Sequence, residues 1–329
     1  MNLKSKKVLI TGAGGFIGSH LVDRLIDFGC HVRCFVHYNS RNDYGQLKEL
    51  PDEKIKQIEI IAGDLKDANA VYKCIKGVDT VFHLGALIAI PYSYLHPNDV
   101  IETNILGTLN VFMAARDNDV NKIIHTSTSE VYGTAQYVPI DEKHPLQAQS
   151  PYSASKIGAD KIAESFYKSY SLSVATIRPF NVYGPRQSAR AVIPTIITQA
   201  LIKESIYLGN ITPTRDYTYI KDTVEAFINI AESDETSGHT FNIGSNFEIS
   251  IGDLAKKIVK LLGRDIKILH DENRFRPENS EVQRLMADNK EALNAFGWTP
   301  KVSLEDGLKL TIDWISCNLN KYKAGDYVI

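Results

Sequence analysis

Short continuous apolar runs alternate with amphipathic stretches through the first half of the chain. Val8–Thr11, Val32–Val36, Ile58–Ala62, Thr80–Leu84 and Lys122–Ser127 read as strands. Most are unbroken rather than alternating, the pattern of strands covered on both faces. Gly15–Phe28 and Asp99–Arg116 carry helical spacing, a longer helix starts near Ser153, and Val174–Arg178 is a sixth strand. Strand–helix–strand alternation predicts an α/β fold with a doubly wound parallel sheet. The second half is less regular, punctuated by Pro179, Pro185, Pro194 and Pro213. Lys221–Glu232 reads as a helix, Thr240–Ile243 as a strand returning to the same sheet, and Ile251–Leu262 and Leu304–Asn318 as short helices.

A chain of 329 residues fits two domains at ~100–200 residues each. We expect a Rossmann-type sheet domain, residues 1–178 with about 218–245, and a smaller mixed α/β domain, about 179–217 with 246–329. The cleft between them falls at the carboxyl ends of the strands, where doubly wound folds bind ligands. Lys and Arg number 37 against 39 Asp and Glu, so the chain has no electrostatic footprint for nucleic acid or an anionic membrane. The basic start is followed only by Val8-Leu9-Ile10, too short for a signal-peptide core, and no ~18-residue apolar run follows. Four cysteines form no disulfide framework and fit a reducing, cytoplasmic setting. Cys30 and Cys34 have a metal-like spacing, but no histidine pair completes a site, so buried thiols and no metal are expected.

After the first strand comes Thr11-Gly12-Ala13-Gly14-Gly15-Phe16-Ile17-Gly18. Gly12, Gly15 and Gly18 form G-x-x-G-x-x-G, which suits a tight turn with a helix N-terminus facing a pyrophosphate. A tight turn with no ligand is the alternative. No acid stands at the tip of strand two, where a carboxylate would bind the 2′-hydroxyl of NAD. Ser40 and Arg41 can instead hold the 2′-phosphate of NADP, which is favoured over NAD, unless Arg41 is a solvated loop charge. Asp64 either accepts from the adenine amino group or caps the next helix. The candidate cofactor set is Gly12, Gly15, Phe16, Ile17, Gly18, Ser40, Arg41, Asp64, Leu65 and Leu84, with Tyr152 and Lys156.

Tyr152 and Lys156 lie four apart, on one face of a helix. A free phenol has a pKa of ~10, and an adjacent ammonium favours the phenolate. Such a pair can take a proton from a carbinol while a nicotinamide takes the hydride. Strand five ends in Ser127-Thr128-Ser129-Glu130. Thr128 can hydrogen-bond the hydroxyl that Tyr152 deprotonates. Glu130 is either a second acid/base group or a helix cap.

With Gly12/Gly15/Gly18, Ser127-Thr128-Ser129-Glu130-Val131-Tyr132-Gly133, Tyr152/Lys156, Arg178-Pro179-Phe180-Asn181-Val182-Tyr183-Gly184-Pro185, Arg215-Asp216-Tyr217 and Arg276-Pro277 together, the chain resembles an extended short-chain dehydrogenase/reductase acting on a nucleotide sugar. The resemblance covers essentially the whole chain. It implies that Thr128, Tyr152 and Lys156 are the redox residues and that Asn181, Arg215 and Arg276 face the substrate diphosphate. Arginine forks match phosphate oxygens, though each lone arginine also fits a surface ion pair. Ser127, Arg186 and Val192 complete the candidate substrate set.

The superfamily includes 4-epimerases, 4,6-dehydratases, uronate decarboxylases and reductases. Oxidation at sugar C4 acidifies the proton on C5, and a carboxylate such as Glu130 can then remove it while the C6 hydroxyl leaves as water. Thr128-Ser129-Glu130 departs from the Thr-Asp-Glu of many dehydratases and resembles GDP-mannose-type dehydratases and uronate decarboxylases. The absence of Lys or Arg between Lys76 and Arg116 disfavours a uronate. Gly133–Ile140, Arg186–Thr195 and Arg276–Val282 resemble the dehydratases of GDP-N-acetylglucosamine that open legionaminic acid biosynthesis. The expectation is therefore a 4,6-dehydratase, with decarboxylase, epimerase, one-way dehydrogenase and a non-catalytic sensor as alternatives. Apolar positions in excess on Asp99–Arg116 and Tyr152–Tyr170 suit either a homodimer, which the resemblance implies, or packing on the second domain.

Overall fold

The computed structural model describes residues 2–322; Met1 and residues 323–329, the outer ends of the expected domains, lie outside the described residues. Seven parallel strands form the central sheet: β1 (Lys7–Thr11), β2 (His31–His37), β3 (Ile58–Gly63), β4 (Thr80–His83), β5 (Lys122–Thr126), β6 (Val174–Pro179) and, after three strands outside this sheet, β10 (Thr240–Ile243). Their spatial order is β10-β6-β5-β4-β1-β2-β3. The order reverses between β1 and β4, so the glycine turn after β1 opens at the switch point.

Consecutive strand residues supply opposite faces. Val8, Ile10, Phe82 and Ile124 join the core on one side, while Leu9, Val81 and Ile123 join the other. That second side is covered by helices Ala68–Ile75, Gly107–Asp117 and Pro151–Tyr170. The expected doubly wound sheet is therefore present, with its strand ends within two residues of the expected ones.

Two expectations change. The stretch Asp99–Arg116 is not one regular helix. It is Pro97–Ile101, a π turn Glu102–Leu106, and then Gly107–Asp117. The helix expected near Ser153 begins at Pro151, because Ser150 and Ser153 form a capping box and proline suits the first helical position.

The irregular second half holds more order than its prolines suggest. β7 (Asn181–Tyr183), β9 (Thr214–Tyr219) and β11 (Glu248–Ser250) make a three-stranded sheet. β8 (Ser205–Leu208) and β12 (Lys267–His270) make a parallel pair. The boundary expected at about 217–218 falls inside β9. Pro194 lies in the first turn of helix Val192–Ile202, where its missing N–H removes no helical bond. Among the described residues, no helix is long and apolar enough to cross a membrane.

Candidate active site

Gly12 has φ +70°, and a Cβ there would lie 2.9 Å from the backbone nitrogen of Gly85, just past β4. A Cβ at Gly18 would lie 2.3 Å from the Gly12 carbonyl. The turn and its helix thus pack backbone to backbone across the switch point. Helix Phe16–Asp27 begins at Gly15 with no side-chain cap and no acid in its first turn. Its leading N–H groups are suited to an anion, which fits a dinucleotide pyrophosphate. Leu84 donates its N–H to Thr11, and Leu65 packs where a Cβ on Gly85 would stand. Asp64 does not cap the following helix. That role belongs to Asp67, which accepts from the backbones of Asn69 and Ala70, while Asp64 accepts from Lys66. Ser40 and Arg41 are exposed in the turn after β2, which Asn39 organises by accepting from the Arg41 and Asp43 backbones.

The catalytic candidates converge at the end of β5. Thr128 caps the short turn Ser129–Tyr132 by accepting from the Glu130 N–H at 3.2 Å. Tyr152 is 6% exposed and Lys156 3%. Burial pushes the Tyr152 phenol above its ordinary range; a hydrogen bond with Thr128 opposes this, and the charges of Glu130 and Asp160 reinforce it. Glu130 therefore stands close enough to Tyr152 for its charge to be felt. Ser129 is buried beside it.

The ammonium of Lys156, expected to favour the phenolate by its charge, is seated on the neighbouring strand. Its Nζ donates to the Thr126 carbonyl at 2.7 Å. Burial lowers its pKa to about 8, against the attraction of Asp160. The pair is assembled on one helix face, but the lysine is seated on the strand.

Beneath the pair lies a polar network that sequence reasoning missed. Asp160 accepts from His125 Nε2 at 3.1 Å, Ser127 Oγ at 2.8 Å and Arg178 Nη2 at 2.9 Å. Burial opposes its charge, but His125 and Arg178 hold its pKa down to about 2. Arg178 also donates to the Tyr132 hydroxyl, which donates to Asn242. The Asn242 N–H in turn donates to Glu142 at 2.6 Å. Ser127 thus points into this network. Asn104, in the π turn, was missed too. It bonds both backbone groups of Leu87 and donates to Ser155, between Tyr152 and Lys156. Asp160 had a signal: it continues the four-residue spacing of Tyr152 and Lys156.

The substrate candidates divide. Arg215 donates to Glu281 at 3.1 Å, and Arg276 approaches the same oxygen at 3.6 Å. The buried Oδ1 of Asn181 has no protein partner, nor does the hydroxyl of Tyr217, its register neighbour on β9. The Arg186 guanidinium contacts Ser19 and Asp23 on the first helix. Val192 is the first residue of helix Val192–Ile202.

Residues 9–311 match the family described as GDP-mannose 4,6 dehydratase. The chain belongs to that family. Its members here are extended short-chain dehydrogenase/reductase proteins of the nucleotide-sugar 4,6-dehydratase and epimerase type. The dTDP-D-glucose 4,6-dehydratase of Homo sapiens is 32% identical over 97% of this chain and 92% of its own length. The structure of UDP-N-acetylglucosamine 4-epimerase from Methanobrevibacter ruminantium M1, in complex with UDP-N-acetylmuramic acid, is similar with a TM-score of 0.87 and 33% identity, covering 96% of this chain and 99% of that one. DesIV, the dTDP-glucose 4,6-dehydratase of Streptomyces venezuelae solved with NAD bound, gives 0.85 and 27%, covering 96% and 99%. The family thus spans dehydratases and epimerases on one fold.

Burial raises the Glu142 pKa from 4.5 to about 7, partly offset by the Asn242 N–H. The folded state therefore binds a proton that the unfolded state releases, and stability falls as pH rises from 4.5 through 7. Glu142→Gln keeps the acceptor and removes the charge. In urea unfolding at pH 8 it should gain on the order of 1 kcal/mol after discounting for solvent screening. At pH 4 the gain should vanish.

Proposed function

We propose that this protein is a nucleotide-sugar 4,6-dehydratase that converts GDP-N-acetylglucosamine to its 4-keto-6-deoxy product. The observation carrying the dehydratase reading is a carboxylate, Glu130, in the turn after β5 that Thr128 caps, whose charge acts on the Tyr152 phenol. An epimerase needs no base at C5. The choice of GDP-N-acetylglucosamine rests on the resemblance of Gly133–Ile140, Arg186–Thr195 and Arg276–Val282.

A bound nicotinamide would supply a hydride acceptor at C4 and a hydride donor at C6. Gly12, Gly15, Phe16, Ile17 and Gly18 would hold its pyrophosphate, with Leu65 and Leu84 lining the floor and Asp64 reaching the adenine. Tyr152 takes the proton of the C4 hydroxyl, and Thr128 holds that oxygen. Lys156 supplies positive charge behind the phenol. Once C4 is a ketone, Glu130 takes the acidified C5 proton and the C6 hydroxyl departs beside Ser129. Two protons are thus lifted, one from O4 and one from C5. One returns to C5 and the other leaves in the water, so the cycle needs no outside proton. Asn181, Arg215 and Arg276 would hold the diphosphate. On that reading Glu281 keeps the two arginines aligned until phosphate oxygens arrive. Ser127 acts from the network below, and Arg186 and Val192 border the nucleotide.

GDP-N-acetylglucosamine offered with catalytic cofactor should lose one water, read by mass spectrometry, without accumulation of reduced nicotinamide. Tyr152→Phe should lower kcat by about 10²–10⁴. Glu130→Gln should stall after C4 oxidation, with reduced cofactor appearing in its absorbance. A 4-epimerase is the second reading, favoured by the structural likeness to the Methanobrevibacter epimerase. It would leave the mass unchanged with C4 inverted and would tolerate Glu130→Gln.

For the cofactor we infer NADP over NAD, because Ser40 and Arg41 are exposed after β2 and no acid stands at the strand tip. The NADP dissociation constant should be lower by roughly tenfold, an increment worth about 1.4 kcal/mol, and Arg41→Ala should erase the difference. Tighter binding of NAD by the unaltered protein would reverse the assignment.

We further propose a homodimer. Leu106 is 50% exposed and Met113 42%, two helical turns apart, and Tyr167 and Tyr170 are exposed at the end of helix Pro151–Tyr170, which packs against the same helix. Pairing two copies through these helices would cover both. Sedimentation velocity should return twice the chain mass; a single-chain mass overturns the dimer.

A further inference from the structure

Helix Pro151–Tyr170 presents a third ionisable group on the face that carries Tyr152 and Lys156. Asp160 lies one helical turn beyond the lysine, and its side chain is 6% exposed. Its two carboxylate oxygens take four hydrogen bonds, from His125, Ser127 and both Nε and Nη2 of Arg178. His125 and Ser127 flank Thr126 on β5, and the Thr126 carbonyl is what Lys156 Nζ bonds at 2.7 Å. The carboxylate therefore grips the strand on both sides of the lysine's seat.

We propose that Asp160 is a positioning residue for the Tyr152–Lys156 pair: it fixes the strand end that seats the lysine and supplies the buried countercharge facing it. The proposal rests on the reading of that pair as the redox residues. A buried carboxylate this well satisfied stays ionised. The other groups facing Lys156 offer it no such support. His83 on β4 and His125 on β5 are both kept neutral by burial, and neither supplies a negative charge. Arg178 on β6 carries positive charge and is spent on Asp160. Glu130 and Asp160 both raise the phenol by their charge, but of the two it is Asp160 that also attracts the lysine. The ammonium is already pushed down to about 8 by burial, so loss of Asp160 would leave it largely neutral at working pH.

The fold could object to Asp160→Asn alone, because Arg178 would be left buried and unpaired. Two variants avoid that ambiguity by moving the lysine in opposite directions. D160N/R178M removes both buried charges together. R178M keeps the carboxylate and frees it toward Lys156. The lysine is read directly, without substrate, by titrating side-chain-labelled lysine Cε signals in NMR, with Lys156→Met assigning the resonance. D160N/R178M should lower the Lys156 midpoint by about one pH unit, and R178M should hold or raise it. With GDP-N-acetylglucosamine, the alkaline limb of kcat should move by the same amount, kcat at pH 8 should fall about fivefold, and KM should change less than about twofold. Asp160→Glu should restore the limb. An unmoved Lys156 midpoint in folded D160N/R178M, equal movement in both variants, or a loss of rate with the limb in place would each overturn the proposal. Because the NMR titration involves no substrate, a wrong nucleotide sugar would not disturb its outcome.

Discussion

Lys156 places an ammonium in an interior that water scarcely reaches, and the candidate site is arranged around keeping it there charged. A charge removed from water needs a counter-ion and hydrogen-bond partners at close range. The Thr126 carbonyl takes one proton of the ammonium, and Asp160 faces it along the helix. Asp160 is itself held by Arg178, His125 and Ser127, so β5, β6 and helix Pro151–Tyr170 are cross-linked by one set of bonds. The catalytic helix cannot slide against the sheet without breaking them.

Above that floor the site is more open in its chemistry. Arg215 and Arg276 share Glu281, while Asn181 and Tyr217 keep buried polar atoms without a protein partner. Unpaired polar atoms of this kind are costly unless something else satisfies them. They lie on β7 and β9 in the smaller sheet, whereas the redox candidates lie in the turn after β5 and on helix Pro151–Tyr170, against the large one.

The large sheet was legible because its strands are continuous apolar runs, and Val8–Thr11 or Thr240–Ile243 need no tertiary information to recognise. The glycine turn was equally plain. The small strands were not, because β7, β8, β11 and β12 are three or four residues each, too short for a periodic pattern. Helix Val192–Ile202 was hidden by Pro194, which is harmless only at the start of a helix. The interruption of Asp99–Arg116 left no composition signal. Tyr152, Lys156 and Glu130 could be named from spacing, but the seat of Lys156 could not, because a backbone carbonyl carries no residue identity. Asp160, His125 and Arg178 become partners only when strands five and six and the helix are brought together. The contact of Arg186 with Asp23 on the first helix was hidden in the same way, since 163 residues separate the two.

A π turn is one residue more than a regular helix would hold, and Glu102–Leu106 is such an insertion fixed in place. Its extra residue presents Asn104 to the Leu87 loop and to Ser155 at once. Loss of a single codon in this stretch would let the helix close up into regular α-turns, with the flanking turns left close to where they stand. The reading frame would survive, and so would most of the hydrophobic pattern, yet the amide would leave both of its partners. The Asn104 contacts thus depend on the length of this stretch as well as on the identity of the residue. Drift along this helix can proceed by substitution far more easily than by deletion.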